Sequence, residues 1–199
     1  MVDLLDVPEG YDYHAPKIDV PPRVFWLNRL LRLTLALLFA TLTWFAHGTP
    51  DLQRVAIAIV TLQKANPLLY ILIVCSSLGI YLVHELLHGF GGYLYGLSIR
   101  FGWDWYSLSP FVTTYGRPQS RFETVFITIM PFFSLTLVLV PAVVAFSGLS
   151  AAVFLPPLLI NTLGSASDFN TVWKMAHLPA GSLLENDRDE HTAYYVPSG

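Results

Sequence analysis

Apolar positions gather in four long runs separated by shorter polar segments. Phe25–Ala46 is the first, with Arg29 and Arg32 near its start and Trp44 near its end. Pro67 opens the second, Leu68–Phe90. The third is Phe122–Phe146, with Pro131 and Pro141 inside it, and the fourth is Leu149–Asp168, with Pro156 and Pro157. Each holds about 20 residues, the length a helix needs to cross a hydrocarbon core of about 30 Å. Prolines are tolerated in such helices where neighbours re-satisfy the backbone. The connection Thr49–Asn66 carries Val55–Val60, too brief to span and suited to the interface.

Between the second and third runs the period changes. Leu97, Ile99, Phe101, Trp103 and Trp105 alternate with Ser98, Arg100, Gly102 and Asp104, which is strand periodicity. Ser107–Pro110 reads as a turn and Phe111–Tyr115 as a second strand. Leu97–Tyr115 is therefore a β-hairpin, an aromatic belt at the membrane surface, or both. The expected architecture is an all-α polytopic membrane protein of about four transmembrane helices, with a membrane-associated hairpin between helices 2 and 3. Residues 1–24 read as a polar, proline-bearing tail, 25–172 as the transmembrane domain, and 173–199 as a second polar tail with the charge run Glu185–Glu190.

Composition agrees. The 199 residues are 54% hydrophobic and 13% charged, with a mean hydropathy of +0.53. Soluble domains are about 25% charged, so the lipid bilayer is a partner. The net charge of −3 gives no reason to expect nucleic acid. The single Cys75 excludes a disulfide framework or a cysteine-based zinc site. Met1–Pro22 lacks the basic-then-apolar order of a secretory signal. Placing the N-terminus in the cytosol puts Lys17, Arg23, Arg29, Arg32, Arg100, Arg117, Arg121, Lys174 and Arg188 inside, and only Arg54 and Lys64 outside. The positive-inside rule thus favours cytosolic termini.

The second run contains His84-Glu85-Leu86-Leu87-His88. On a helix the two histidines lie one turn apart on one face. Neutral imidazoles there can hold Zn²⁺ with a third protein ligand and a water, and Glu85 is placed as the base. An acidic residue inside a membrane helix costs about 2.5–3.5 kcal/mol on insertion scales, so Glu85 calls for a metal or a wet cavity. A capped helix end with two interfacial histidines is the bland alternative.

Asp168 is the preferred third ligand. It lies about 28 Å along a helix starting at Leu149, while His84 and His88 lie about 24 and 30 Å along one starting at Leu68. Asn161, Gly164, Ser165 and Asp168 share one helical stripe. Glu123 competes, although an ion pair with Arg121 explains it. Asp104 and His177 remain further options, and Asn170 reads as a helix-end residue.

With these residues in view, the chain resembles the intramembrane zinc proteases of the site-2 class. It looks closest to small membrane proteins catalogued as putative zincin peptidases. The resemblance rests on His84 to His88 with Gly89, the proline-bearing third helix, and Asn161 to Asp168, over roughly Leu68–Asp168. In the site-2 class the later motif is Asn, Pro, then Asp-Gly; here Asp168 is followed by Phe169. The resemblance implies an endopeptidase in which His84, His88 and Asp168 bind zinc and Glu85 is the base. The substrate is a membrane protein or peptide, hydrolysed near the cytosolic side of the bilayer. Asn161 is a candidate substrate contact, and Ile99, Phe101 and Gly102 are candidates for pairing with an unwound substrate segment. The oligomeric state is open. The rival reading is a non-proteolytic metal protein that grips a membrane partner. A di-iron oxidase would need clustered histidines beyond the six present, and a transporter would carry its ionisable groups at the midplane.

Overall fold

The computed structural model describes residues 7–14, 21–105, 109–146, 151–186 and 192–198. Along the chain these form β1 (Tyr11–His14), α1 (Pro22–Ala65), α2 (Pro67–Leu94), β2 (Ser98–Asp104), β3 (Ser109–Tyr115), β4 (Gln119–Ser120), α3 (Arg121–Ala145), α4 (Ala151–Gly164), α5 (Ala166–His177), β5 (Leu183–Asn186) and β6 (Thr192–Pro197). The protein is mostly helical. Among the described residues three segments are long and apolar enough to cross a membrane: Pro22–Thr43, Tyr70–Leu94 and Arg121–Ala145.

Two expectations change here. The connection Thr49–Asn66 is helical to Ala65 as part of α1, because after Pro50 it holds helix formers such as Gln53, Arg54 and Gln63 and no turn signal before Pro67. The run Leu149–Asp168 does not form one spanning helix. α4 has 14 residues and α5 has 12, and the chain breaks between them. Gly164 ends α4, and the Ser165 N–H bonds back to the Asn161 carbonyl, a helix-closing arrangement.

The chain divides into two compact units. One comprises Trp26–His84 and Phe132–Ala166. Its outward helix faces are apolar: Leu37 is 68% exposed and Leu137 77%, as lipid-facing side chains are. Inside it, polar side chains repair broken backbone. Pro157 has no N–H for the Val153 carbonyl one turn earlier, and Ser76 Oγ donates to that carbonyl at 3.1 Å. At the end of α4, Asn28 Nδ2 donates to the Ala166 carbonyl at 3.1 Å and Arg32 Nη1 to the Leu163 carbonyl. A cation suits this position, where helix carbonyls lack partners.

The other unit comprises residues 1–25, Glu85–Pro131 and Ser167–Gly199. It contains two sheets. β2 and β3 form an antiparallel hairpin with Phe101 opposite Val112 and Ile99 opposite Thr114. The second sheet has the order β1-β6-β5-β4, with antiparallel pairs. The terminal segments, read above as tails, thus supply strands. Each is too short to stand alone, and their pairing spans almost the whole chain, which local periodicity cannot reveal. Met175, Leu184 and Tyr194 form a small buried core beside the sheet, with Val125 and Leu178 packed against it. Of the charge run, Asp187–Glu190 lie outside the described residues.

Glu185 belongs to that run but is only 3% exposed. Tyr195 Oη donates to its Oε2 at 2.9 Å, while its Oε1 has no partner. Burial pushes the Glu185 carboxyl above the usual carboxylate range, opposed by the Tyr195 bond. A raised folded-state value means that the folded form holds the proton more tightly. This contribution to stability is complete below the ordinary glutamate range and is lost as pH rises through the raised value. Glu185→Gln is expected to flatten that pH dependence, checked by thermal unfolding across a pH series.

Candidate metal centre

α2 carries the motif because Leu68–Phe90 is helical without interruption. His84, Glu85 and His88 could hold a metal ion: one ligand atom from each lies within 4.8 Å of the others. The ring nitrogens of both histidines are sorted by their neighbours. His84 Nδ1 is 3.0 Å from Asn161 Oδ1, and His88 Nδ1 is 2.9 Å from the Ile127 carbonyl. Each oxygen accepts from an Nδ1–H, which fixes the tautomer with an unprotonated Nε2. Metal-ligating histidines are normally oriented by such bonds.

His88 Nε2 lies 3.5 Å from Asp168 Oδ1. Two tetrahedral ligands at about 2.0–2.1 Å from zinc are themselves about 3.3 Å apart, so this pair has the separation that a shared ion requires. Asp168 is 8% exposed and stands in the first turn of α5, where the helix dipole favours a carboxylate. The depth comparison that favoured Asp168 assumed a helix continuous from Leu149. The break at Ser165 removes that premise, and Asp168 stands beside His88 as an α5 residue.

The competing ligands are occupied or remote. Glu123 pairs with Arg117, not Arg121, at 2.6 and 3.2 Å. It also accepts the Ser120 N–H at 2.7 Å, while Ser120 Oγ accepts the Glu123 N–H at 3.3 Å. This reciprocal capping box at the start of α3 was legible as Ser120-x-x-Glu123. The Glu123 carboxylate holds the Arg117 guanidinium above its ordinary range. Arg121 instead donates to the Leu178 and Pro179 carbonyls beyond the end of α5. His177 stacks on Trp173 and bonds its carbonyl, and Asp104 is exposed at the end of β2.

Glu85 Oε2 accepts the backbone N–H of Val112 at 2.9 Å. The hairpin strand beside the motif is therefore β3, whereas the alternating pattern had singled out Ile99, Phe101 and Gly102 on β2. Ile99 and Phe101 pack over Gly89: a Cβ there would meet Ile99 Cγ2 and Phe101 Cζ at 3.4 Å. Gly102 leaves room for the Phe111 ring, which a Cβ would strike. Alternation reports which residues share a face. It does not report that side chains of both strands, Ile99 and Phe101 of β2 and Val112 of β3, face Gly89 of α2 while the backbone bond to Glu85 comes from β3. Asn161, expected at substrate, is 3% exposed, and its Nδ2 reaches the Phe132 carbonyl at 3.4 Å. Both ends of its amide are engaged within the protein.

Glu85, His88 and Asp168 open onto a cavity of about 320 Å³. Phe111, Val112 and Thr114 of β3 form one wall, and Leu184, Asn186, Thr192 and Tyr194 of β5 and β6 another. The sequence carried no signal for this cavity, because its walls come from segments far apart in the chain.

Residues 77–183 match the family model described as "putative zincin peptidase". The chain belongs to this family. The matched span contains the whole motif, the hairpin, α3, α4 and α5 with Asp168. Zincins are zinc proteins, and the side chains present fit that metal: the Nδ1 bonds leave Nε2 of each histidine for a ligand role, and a carboxylate of Asp168 lies 3.5 Å from His88 Nε2. No curated protein and no solved structure matches the chain.

Purified protein is expected to carry zinc near one equivalent, measured by elemental analysis. His84→Ala or His88→Ala should abolish it, and Asp168→Ala should reduce it strongly while Glu123→Ala retains it. Asn161→Ala should weaken zinc affinity by about 10–100-fold, read by competition with a chelator of known affinity.

Proposed function

We propose that this zincin is a membrane-embedded endopeptidase of the site-2 kind, hydrolysing peptide bonds of membrane or membrane-proximal proteins. The observation that carries the reading is the cluster of His84, Glu85 and His88, each histidine oriented through Nδ1, with Glu85, His88 and Asp168 lining one cavity. His84, His88 and Asp168 would hold the zinc. A zinc ion held there would supply a coordinated water with its pKa lowered towards about 7 and a Lewis acid for the scissile carbonyl. Glu85 accepts the proton of the attacking water at its carboxylate and later passes it to the leaving amine. The Val112 N–H aims that carboxylate. Asn161 acts by orienting His84, not by touching substrate.

The chain is proposed to cross the bilayer four times, with both termini in the cytosol. Strand pairing supports an even number of crossings. β1 precedes α1, β4 precedes α3 and β6 follows α5, yet all three belong to one sheet. Two strands that hydrogen-bond lie on one side of a membrane. A chain that leaves through α3 must therefore return before β5, and α4 is the apolar segment available. At about 21 Å it is short for a core of about 30 Å, so its polar ends need the side-chain partners described above. The basic residues support a cytosolic position for the sheet.

β3 is the strand proposed to receive an unwound substrate segment. A membrane helix hides its carbonyls in its own bonds, and an added strand replaces those bonds. The β3 backbone alternates in direction. Val112 N–H and the Thr114 carbonyl both point away from β2 and are held by Glu85 at 2.9 Å and by Gln119 and Asn186 at 3.2 Å, so an arriving segment would exchange its own backbone groups for these side chains. β2 would serve as the interfacial anchor, with exposed Trp103 and Trp105.

Glu85→Gln is expected to lower turnover at least about 10²-fold with zinc content unchanged. Quantitative membrane proteomics of cells carrying it should show substrate accumulating. Membranes identical to wild type would favour a non-catalytic partner-binding role. Val112→Pro, which removes the donor to Glu85, should impair cleavage with zinc retained. Cysteine labelling at Ala180, an exposed position just before β5, in a chain lacking Cys75, is expected only from the cytosolic side.

A further inference from the structure

The cavity beside Glu85 has a lining unlike the rest of this apolar protein. Thr114, Gln119, Thr128, Thr171, Asn186 and Tyr194 border it, and among the described residues no lysine or arginine does. The donors and acceptors come from four directions: β3 and β4, one stripe of α3, the first turns of α5, and β5 with β6. In an apolar chain, so many hydroxyl and amide groups on one cavity cost desolvation unless something hydrogen-bonds them. Some are tied to each other. Gln119 donates to Thr114 Oγ1 at 3.2 Å, and Thr192 to Asn186 Oδ1 at 2.9 Å. Thr124, one turn before Thr128 on the same lining, is 3% exposed with a buried hydroxyl that has no partner. A buried hydroxyl without a partner costs stability.

Charge narrows what the cavity takes. Among the described residues its ionisable groups are Glu85, His88, Asp168 and Tyr194. With Zn²⁺ beside the carboxylates of Glu85 and Asp168, that lining carries no net charge to compensate a buried substrate ion of either sign. A wholly aliphatic side chain would leave the Thr124 hydroxyl without a partner, and a buried unsatisfied group costs about 1–3 kcal/mol. A neutral amide or hydroxyl satisfies both conditions. At about 320 Å³ the space holds such a side chain together with backbone beside the scissile bond.

We infer that this cavity is a specificity subsite for a neutral hydrogen-bonding side chain, asparagine, glutamine, serine or threonine, next to the scissile bond. The substrate class is then a membrane-proximal segment in which an apolar stretch is interrupted by such a residue. A rotamer change at Thr124 brings its hydroxyl to the incoming group. The inference rests on the peptidase reading and adds to it which bonds are cut.

The test uses the full-length zinc-loaded protein in detergent, with a library of proteome-derived peptides as probe and cleavage sites read by mass spectrometry. The expected result is enrichment of the four neutral polar residues at one position flanking the cut, with aspartate and glutamate depleted there. Thr124→Val and Thr128→Val, separately and together, should shift that position towards valine and leucine by several-fold. Zinc content should be unchanged and the melting temperature of Thr124→Val equal or higher, since an unpartnered hydroxyl is removed. Cleavage with no preference at any flanking position, or a preference that the valine variants leave unaltered, overturns the subsite and leaves the peptidase reading standing. Absence of any cleavage that Glu85→Gln abolishes overturns the peptidase reading, and the subsite falls with it.

Discussion

Two imidazoles set one turn apart in an apolar helix are useful as ligands only if each has its other nitrogen occupied. In this protein other residues perform that service. Asn161 takes one Nδ1–H and the Ile127 carbonyl takes the other. The second bond has a structural source. Ile127 lies one turn before Pro131 in α3, and proline has no N–H to offer the carbonyl four residues earlier. The backbone group that Pro131 leaves without a helical partner is the group that orients His88. A proline that only bends a helix in a soluble protein supplies here an acceptor at the metal centre.

The same economy recurs at α4. Pro157 leaves the Val153 carbonyl for Ser76, and the chain break at Ser165 starts a new helix whose first turn carries Asp168. The break places a carboxylate at a helix N-terminus, where it is stabilised as an anion. It also ends the apolar run early, and the Asn28 and Arg32 side chains cover the carbonyls that the break exposes. Irregular backbone at membrane depth is tolerated only with such partners. In this chain those partners and the candidate chemistry are built from the same departures from regular helix.

The sheet and hairpin supply what helices cannot. A strand presents backbone donors sideways, and β3 uses one of them to aim Glu85. The sheet ties residues before α1 to residues after α5. It also lines one side of the cavity with hydroxyl and amide groups in an otherwise apolar chain. The ends of the chain thus take part in the wall opposite the motif.

By itself the sequence determined what depends on local pattern. Of the four apolar runs read as spanning, three are helices long enough to span, the spacing of His84, Glu85 and His88 showed a metal-ligand face, and the alternation from Leu97 showed strand. Ligand chemistry singled out Asp168, and the capping box at Ser120 and Glu123 was readable though it was read as an ion pair with Arg121. What the tertiary structure decided depends on contacts between distant segments. These are the pairing of β1 with β6, the break that moves Asp168 into a new helix, the choice of β3 over β2 beside Glu85, the partner of each histidine, and the cavity. The reason is physical: periodicity records which side of an element is apolar, while hydrogen bonds between elements depend on which backbone groups the fold leaves unpaired and what it brings to meet them.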